Sequence, residues 1–140
     1  MSDAGRKVTR SIERTNQLVR RYLADHLDRL GITEIEAHLL ARLSAKGPIS
    51  VADLQRTFGL RPSTLTNALD RLERRRLVAR KTDPEDRRSV LVALTASGRR
   101  AAREVIAIVD ALEARVAGRV SKEQLRAFDA VVGAIEASLE

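Results

Sequence analysis

The side chains best suited to chemistry in this sequence are concentrated in residues 61–95. Ser63, Thr64, Thr66, Asn67 and Arg71 stand off a stripe of Leu65, Leu69 and Leu72. That stripe recurs at i, i+4 and i+7, the mark of a helix with one buried face. A merely solvated helix face is normally rich in Glu, Lys and Arg. This one leads with short hydroxyl and amide groups, which reach both phosphate oxygens and base edges. Farther along, Asp86, Arg87 and Arg88 occupy the tip of a charged turn, TDPEDRRS. An arginine on a thin projecting loop suits a narrow minor groove, where the negative potential is strongest. An ordinary charged turn in which Asp86 pairs with a neighbouring arginine also accounts for these residues. The two readings are compatible, because an arginine oriented by a carboxylate is better placed for DNA.

Charge is distributed in the same sense. Of the net +7 carried by 140 residues, all lies in residues 61–103, which hold 12 Lys/Arg against 5 Asp/Glu, while the remainder balances at 14 against 14. A neutral body with one basic segment is the footprint expected for a polyanionic partner, nucleic acid being the commonest. Anionic membrane is the rival, but no Trp/Phe-rich insertion face opposes the basic residues. Arg61, Pro62, Arg74, Arg75, Arg80 and Lys81 are the candidates for the DNA backbone. Arg74, Arg75 and Arg76 point in different directions on a helix, so at least one should be solvated or paired.

Other chemistry finds little support. The absence of Cys excludes disulfides, thiolate metal sites and a cysteine nucleophile. His26 and His38 would need carboxylates to complete a metal site, and no compact cluster supplies them. No phosphate-cradling glycine loop, base–nucleophile pair or paired acids argue for an enzyme, and no cofactor is expected. No apolar run approaches the roughly 20 residues of a membrane span, and Arg6, Lys7 and Arg10 lead into no apolar signal segment. A soluble, cytoplasmic chain is the expectation.

The elements that must position the polar face are mostly helical, given 44% apolar content, only 7 Gly and 3 Pro, and 2% aromatics. Spacing predicts a helix over about 8–30, stopped by Gly31, and a second over 34–45, opened by a Thr33–Glu36 capping box and burying Ile35, Leu39, Leu40 and Leu43. Ser50 and Asp53 open a short helix with Val51, Leu54 and Phe58 inward, and Gly59 ends it. Pro62 suits the first turn of the next helix, which runs to Arg76. Two short helices around a tight turn form a helix-turn-helix pattern, although two packed helices of a structural bundle look alike at this level. Leu77 to Ala79 and Val90 to Leu94 are β-prone runs flanking the charged turn, hence a hairpin, or wing. Thr95 caps a helix over about 99–116, and a Ser121–Gln124 capping box opens the last one, with Leu125, Phe128, Val132, Ile135 and Leu139 in register. That seam, with Val8 and Ile12 near the N-terminus, needs a partner. Packing across a two-fold axis is the economical solution, and a monomer whose terminal helices satisfy one another is the alternative.

The fold class expected is therefore mainly α with a small β-wing: an N-terminal dimerisation helix over 1–32, a winged helix-turn-helix over 33–98, and C-terminal dimerisation helices over 99–140, as one structural domain per subunit. At this point the sequence resembles the MarR family of winged-helix transcriptional regulators, named for multiple antibiotic resistance. The most specific parts are RPSTLTNALDRLERRRLV, similar to that family's recognition helix, and DPEDRRSVLVALTASGR, similar to its wing and the following helix. The family's Asp-x-Arg falls on Asp86 and Arg88. The resemblance implies Ser63, Thr64, Thr66, Asn67 and Arg71 in the major groove and Arg87 and Arg88 in the minor groove. It also implies a homodimer on a pseudo-palindromic operator, acting as a repressor. Release by a small aromatic or phenolic ligand is implied too, with Asn16, Arg20, Tyr22, His38 and Arg42 as candidate lining. For His38 a packed, hydrogen-bonded role is the competing reading. Lack of Trp speaks against the family's urate-binding pattern and lack of Cys against its peroxide sensing. A dimeric regulator or adaptor without a ligand, controlled by abundance or a protein partner, is the alternative.

Overall fold

A computed structural model describes residues 3–140, with side chains from Lys7 onward. Helix α1 spans Asp3–Asp28, α2 Glu34–Lys46, α3 Val51–Phe58 and α4 Pro62–Arg74. Strands β2 (Val78–Thr82) and β3 (Val90–Leu94) form the hairpin, and α5 (Ala96–Ala117) and α6 (Lys122–Leu139) follow. A two-residue strand β1, Ile49–Ser50, pairs antiparallel with β3, giving a sheet of order β1-β3-β2. Nothing in the sequence reading anticipated β1. Its one apolar residue, Ile49, lies opposite Val92, whose other neighbour in the sheet is Arg80.

Local chemistry sets the boundaries. Thr33 Oγ1 accepts from the Glu36 amide, Ser50 Oγ from the Asp53 amide, and Ser121 and Gln124 form a complete reciprocal capping box. The expected box at Thr33 is only half made, because the Glu36 side chain turns inward, 3% exposed. α4 ends in a Schellman motif: the Arg76 amide bonds the Glu73 carbonyl and the Leu77 amide that of Leu72. Arg76 takes the left-handed conformation, φ +58°, that glycine usually supplies there. The sequence predicted α5 to begin after Gly98. Instead it begins at Ala96, capped by Thr95 Oγ1, and Gly98 lies buried in its first turn. A Cβ at Gly98 would stand 1.8 Å from the Leu77 carbonyl oxygen, so glycine marks a close approach rather than a break.

The chain divides into two compact units, one running to Ile108 and the other Val109–Glu140. The core belongs to the first: Leu39, Leu40 and Leu43 of α2 meet Leu54, Leu65, Leu69, Leu72, Val78 and Val92, with Leu27, Ile32, Ala102 and Val105 around them. The buried leucines of α2, α3 and α4 are positions that helical periodicity marked as inward. The unit boundary falls beyond the 98/99 division read from sequence, because the first part of α5 contributes Ala102 and Val105 to this core. In the second unit no α6 residue is buried.

Candidate nucleic-acid interface

α4 is held by Leu65, Ala68, Leu69 and Leu72, all buried. Pro62 sits in its first turn after Arg61, which provides no side-chain cap. At 3.6 residues per turn, Ser63, Asn67 and Arg74 share the outward crest, Thr64 and Arg71 one flank, and Thr66 and Glu73 the other. Ser63, Thr66, Asn67 and Arg71 are exposed and Thr64 half-buried.

Both flanks are tied down. On one, Arg71 forms an ion pair with Glu36 of α2, Nε standing 2.8 Å from Oε1. On the other, Arg80 of β2 reaches back to Asp70 through Nη2 and to Glu73 Oε2 through Nε at 2.5 Å. Asp70 first, then Glu73, raise the Arg80 pKa above its ordinary value. Behind the helix, Arg75 donates to the carbonyls of Gly31 at 2.6 Å and Leu30 at 3.1 Å. Arg75, exposed, and Arg80, half-buried, both expected to face phosphates, are thus bonded to other parts of the fold; Arg61, Arg74 and Lys81 are exposed. At least one of the three consecutive arginines was expected to be solvated or paired; all three are exposed, and Arg75 is also bonded to two carbonyls.

The wing tip is built from two successive turns. Asp86 N bonds Asp83 O at 3.3 Å and Ser89 N bonds Asp86 O at 2.9 Å, with Asp83 N closing on Ser89 O at 2.9 Å. The Asp83 carboxylate accepts from the Glu85 amide and the Asp86 carboxylate from the Arg88 amide, at 3.0 and 3.1 Å. Asp86 therefore orients the backbone of Arg88. The side-chain pair considered from sequence is not the contact it makes. Arg87 and Arg88 project exposed.

Of the five candidate ligand residues only Arg20 and His38 come together, at Glu34. Asn16 is exposed on α1. Arg20 Nε donates to Glu34 Oε2 at 3.3 Å, and His38, exposed rather than packed, has Nε2 3.8 Å from Glu34 Oε1. Tyr22 donates its hydroxyl to the Ile108 carbonyl at 3.2 Å and lies against His26. Only Arg42 lines a described cleft, an open one of about 530 Å³ shared with Lys46, Ile49, Asp53, Asp83 and Leu91. Its Nε is buried without a protein acceptor. Next to it Asp53 is paired with Arg56, and the Ser50 hydroxyl, then Arg56, hold its carboxyl below the usual range. Among the described residues no group of three or more His, Asp or Glu is placed to hold a metal ion.

Glu36 is the site residue that sequence reading missed. A signal for it existed, because Glu36, Leu40 and Leu43 recur at i, i+4 and i+7, the spacing of the buried stripe.

The MarR family model matches residues 32–90. Over 115 residues the chain is 34% identical to the HTH-type transcriptional repressor Rv2887 of Mycobacterium tuberculosis, covering 82% of this chain and 83% of that one. The chain belongs to the MarR family. Solved MarR-family structures share its fold. The S. aureus MepR–DNA complex aligns with a TM-score of 0.83 at 24% identity over 95% of this chain and 98% of that one. A mutant MarR from E. coli complexed with operator DNA aligns at 0.78 and 25%, over 92% and 93%. The MarR-family match spans α2 to the start of β3, the segment that carries α4 and the wing tip. Regulation, not catalysis, is the class to which these relatives' names belong, as the sequence indicated.

Proposed function

We propose that this MarR-family chain is a repressor that binds a pseudo-palindromic double-stranded DNA operator as a homodimer. In this reading α4 enters the major groove and the wing the minor groove. One observation carries it: a helix anchored on both flanks leaves only a polar crest and its shoulders outward, beside a turn-stiffened loop that projects Arg87 and Arg88. Ser63, Thr64, Thr66, Asn67 and Arg71 read bases, and Arg61, Arg74 and Lys81 meet phosphates. The likeness to MepR and MarR structures solved with DNA supports this docking. Support for the dimer comes from apolar side chains left in water, including Ile12 at 45%, Phe128 at 63% and Leu139 at 82% exposure. A two-fold pair of recognition helices about 34–36 Å apart then dictates the palindrome.

Release by a small aromatic or phenolic ligand is implied by family likeness. That of Asn16, Arg20, Tyr22, His38 and Arg42 only Arg42 lines a described cleft favours the second reading, a regulator controlled by abundance or a protein partner. The test of DNA reading is selection of bound duplexes from a random-sequence pool, followed by titration across salt concentrations. Arg88→Ala should weaken binding to the selected site and reduce the salt slope by about 1 per wing. Unchanged affinity and slope would remove the wing from the interface.

A further inference from the structure

Resting on this DNA-reading assignment, we propose that Glu36 of α2 is a positioning residue for sequence recognition. It holds Arg71 so that the guanidinium presents one fixed edge to a base pair. The Glu36 carboxylate is 3% exposed and forms an ion pair with Arg71, Oε1 standing 2.8 Å from Nε. The Arg71 side chain is 47% exposed, so the pair joins a buried carboxylate to a group that reaches the surface. No second carboxylate among the described residues pairs with it. A guanidinium is a planar fork, and anchoring its Nε end beside a buried carboxylate restricts where the terminal nitrogens can lie. A bidentate contact to guanine O6 and N7 demands such an orientation, whereas a phosphate accepts a cation from many directions.

Arg71 also shares its flank with Thr64, so the fixed fork lies at the edge of the polar crest rather than behind it. A buried acid would be a poor choice merely to join α2 to α4. An apolar pair of similar volume generally joins helices as well or better. Glu36 therefore contributes direction. It opposes DNA through its charge, yet it restricts which base Arg71 accepts.

The test uses the full-length protein, random-sequence duplex for selection, and one unrelated duplex for non-specific binding. Glu36→Leu frees Arg71 and removes a negative charge. It should flatten discrimination at one base pair per half-site, a loss of about 5- to 150-fold, while affinity for the unrelated duplex rises. Glu36→Gln keeps a polar oxygen beside Nε without the charge, and should retain more of the preference than Glu36→Leu. Arg71→Lys keeps the charge without the fork, and should flatten the same base pair with an unchanged salt slope. In an Arg71→Ala background Glu36→Leu should change nothing further in the selected sequence. The proposal is overturned if Arg71→Lys keeps the wild-type preference at every position, a result that stands even if Glu36→Leu does not fold. It is equally overturned if Glu36→Leu alters the preference by the same amount without Arg71. Should the wild-type protein select no common sequence, the DNA-reading assignment itself fails and takes this role with it.

Discussion

Asn67 is the residue on the α4 crest whose amide can donate and accept at once, the pairing that matches an adenine edge. It is exposed and makes no described contact with the core, so its replacement should leave folding almost unaffected. Asn67→Ala is expected to lose about 1–3 kcal/mol of discrimination at one base pair while binding to unrelated DNA hardly changes. Comparing sequences selected by the two proteins measures this, and uniform weakening on every sequence would reassign Asn67 to the backbone. Residue types carried this much because a polar face over a leucine stripe is a local property. The occupations of Arg75 and Arg80 are not. Two carbonyls of the α1–α2 turn and two carboxylates of α4 meet them only after distant segments come together, more than 40 residues apart in the case of Arg75. A count of cations from sequence does not show which of them the fold itself engages.

Among the elements, α4 and the hairpin act as one piece because Arg80 staples β2 to Asp70 and Glu73. All three side chains are part-exposed, at 28%, 45% and 44%, so the two carboxylates regain water if the arginine is removed. Arg80→Met should therefore lower stability by only about 1 kcal/mol, read as a small drop in the thermal midpoint. It should also weaken operator binding without reducing the salt slope. A slope lower by about 1 would return Arg80 to the phosphates. The raised guanidinium pKa means that the staple's contribution is fully present below the ordinary arginine value, and it is lost only as pH rises past the folded one. Helix existence and order were legible from periodicity and caps. β1 was not, because two residues carry no alternation. The start of α5 was misjudged because glycine signals a break locally and a close contact tertiarily, and only the Leu77 carbonyl decides between them.

For the molecule as a whole, the proposed dimer turns on apolar side chains that the isolated chain leaves in water. Phe128, 63% exposed on α6, is the largest of them. Phe128→Glu should convert a dimer into a monomer in sedimentation experiments and weaken operator binding severely, since each half-site would then be held alone. A variant that remains dimeric would place the interface elsewhere. The unpartnered seam itself was readable from sequence, whereas its partner was not, because periodicity records that a face is apolar and never what covers it. The contact of Gly98 with Leu77 has a practical corollary for anyone dissecting the protein. A minimal fragment carrying α4 and the wing cannot be cut where the hairpin ends. It has to retain α5 through Ile108, or the close approach at Leu77 is lost and Ala102 and Val105 are withdrawn from the core.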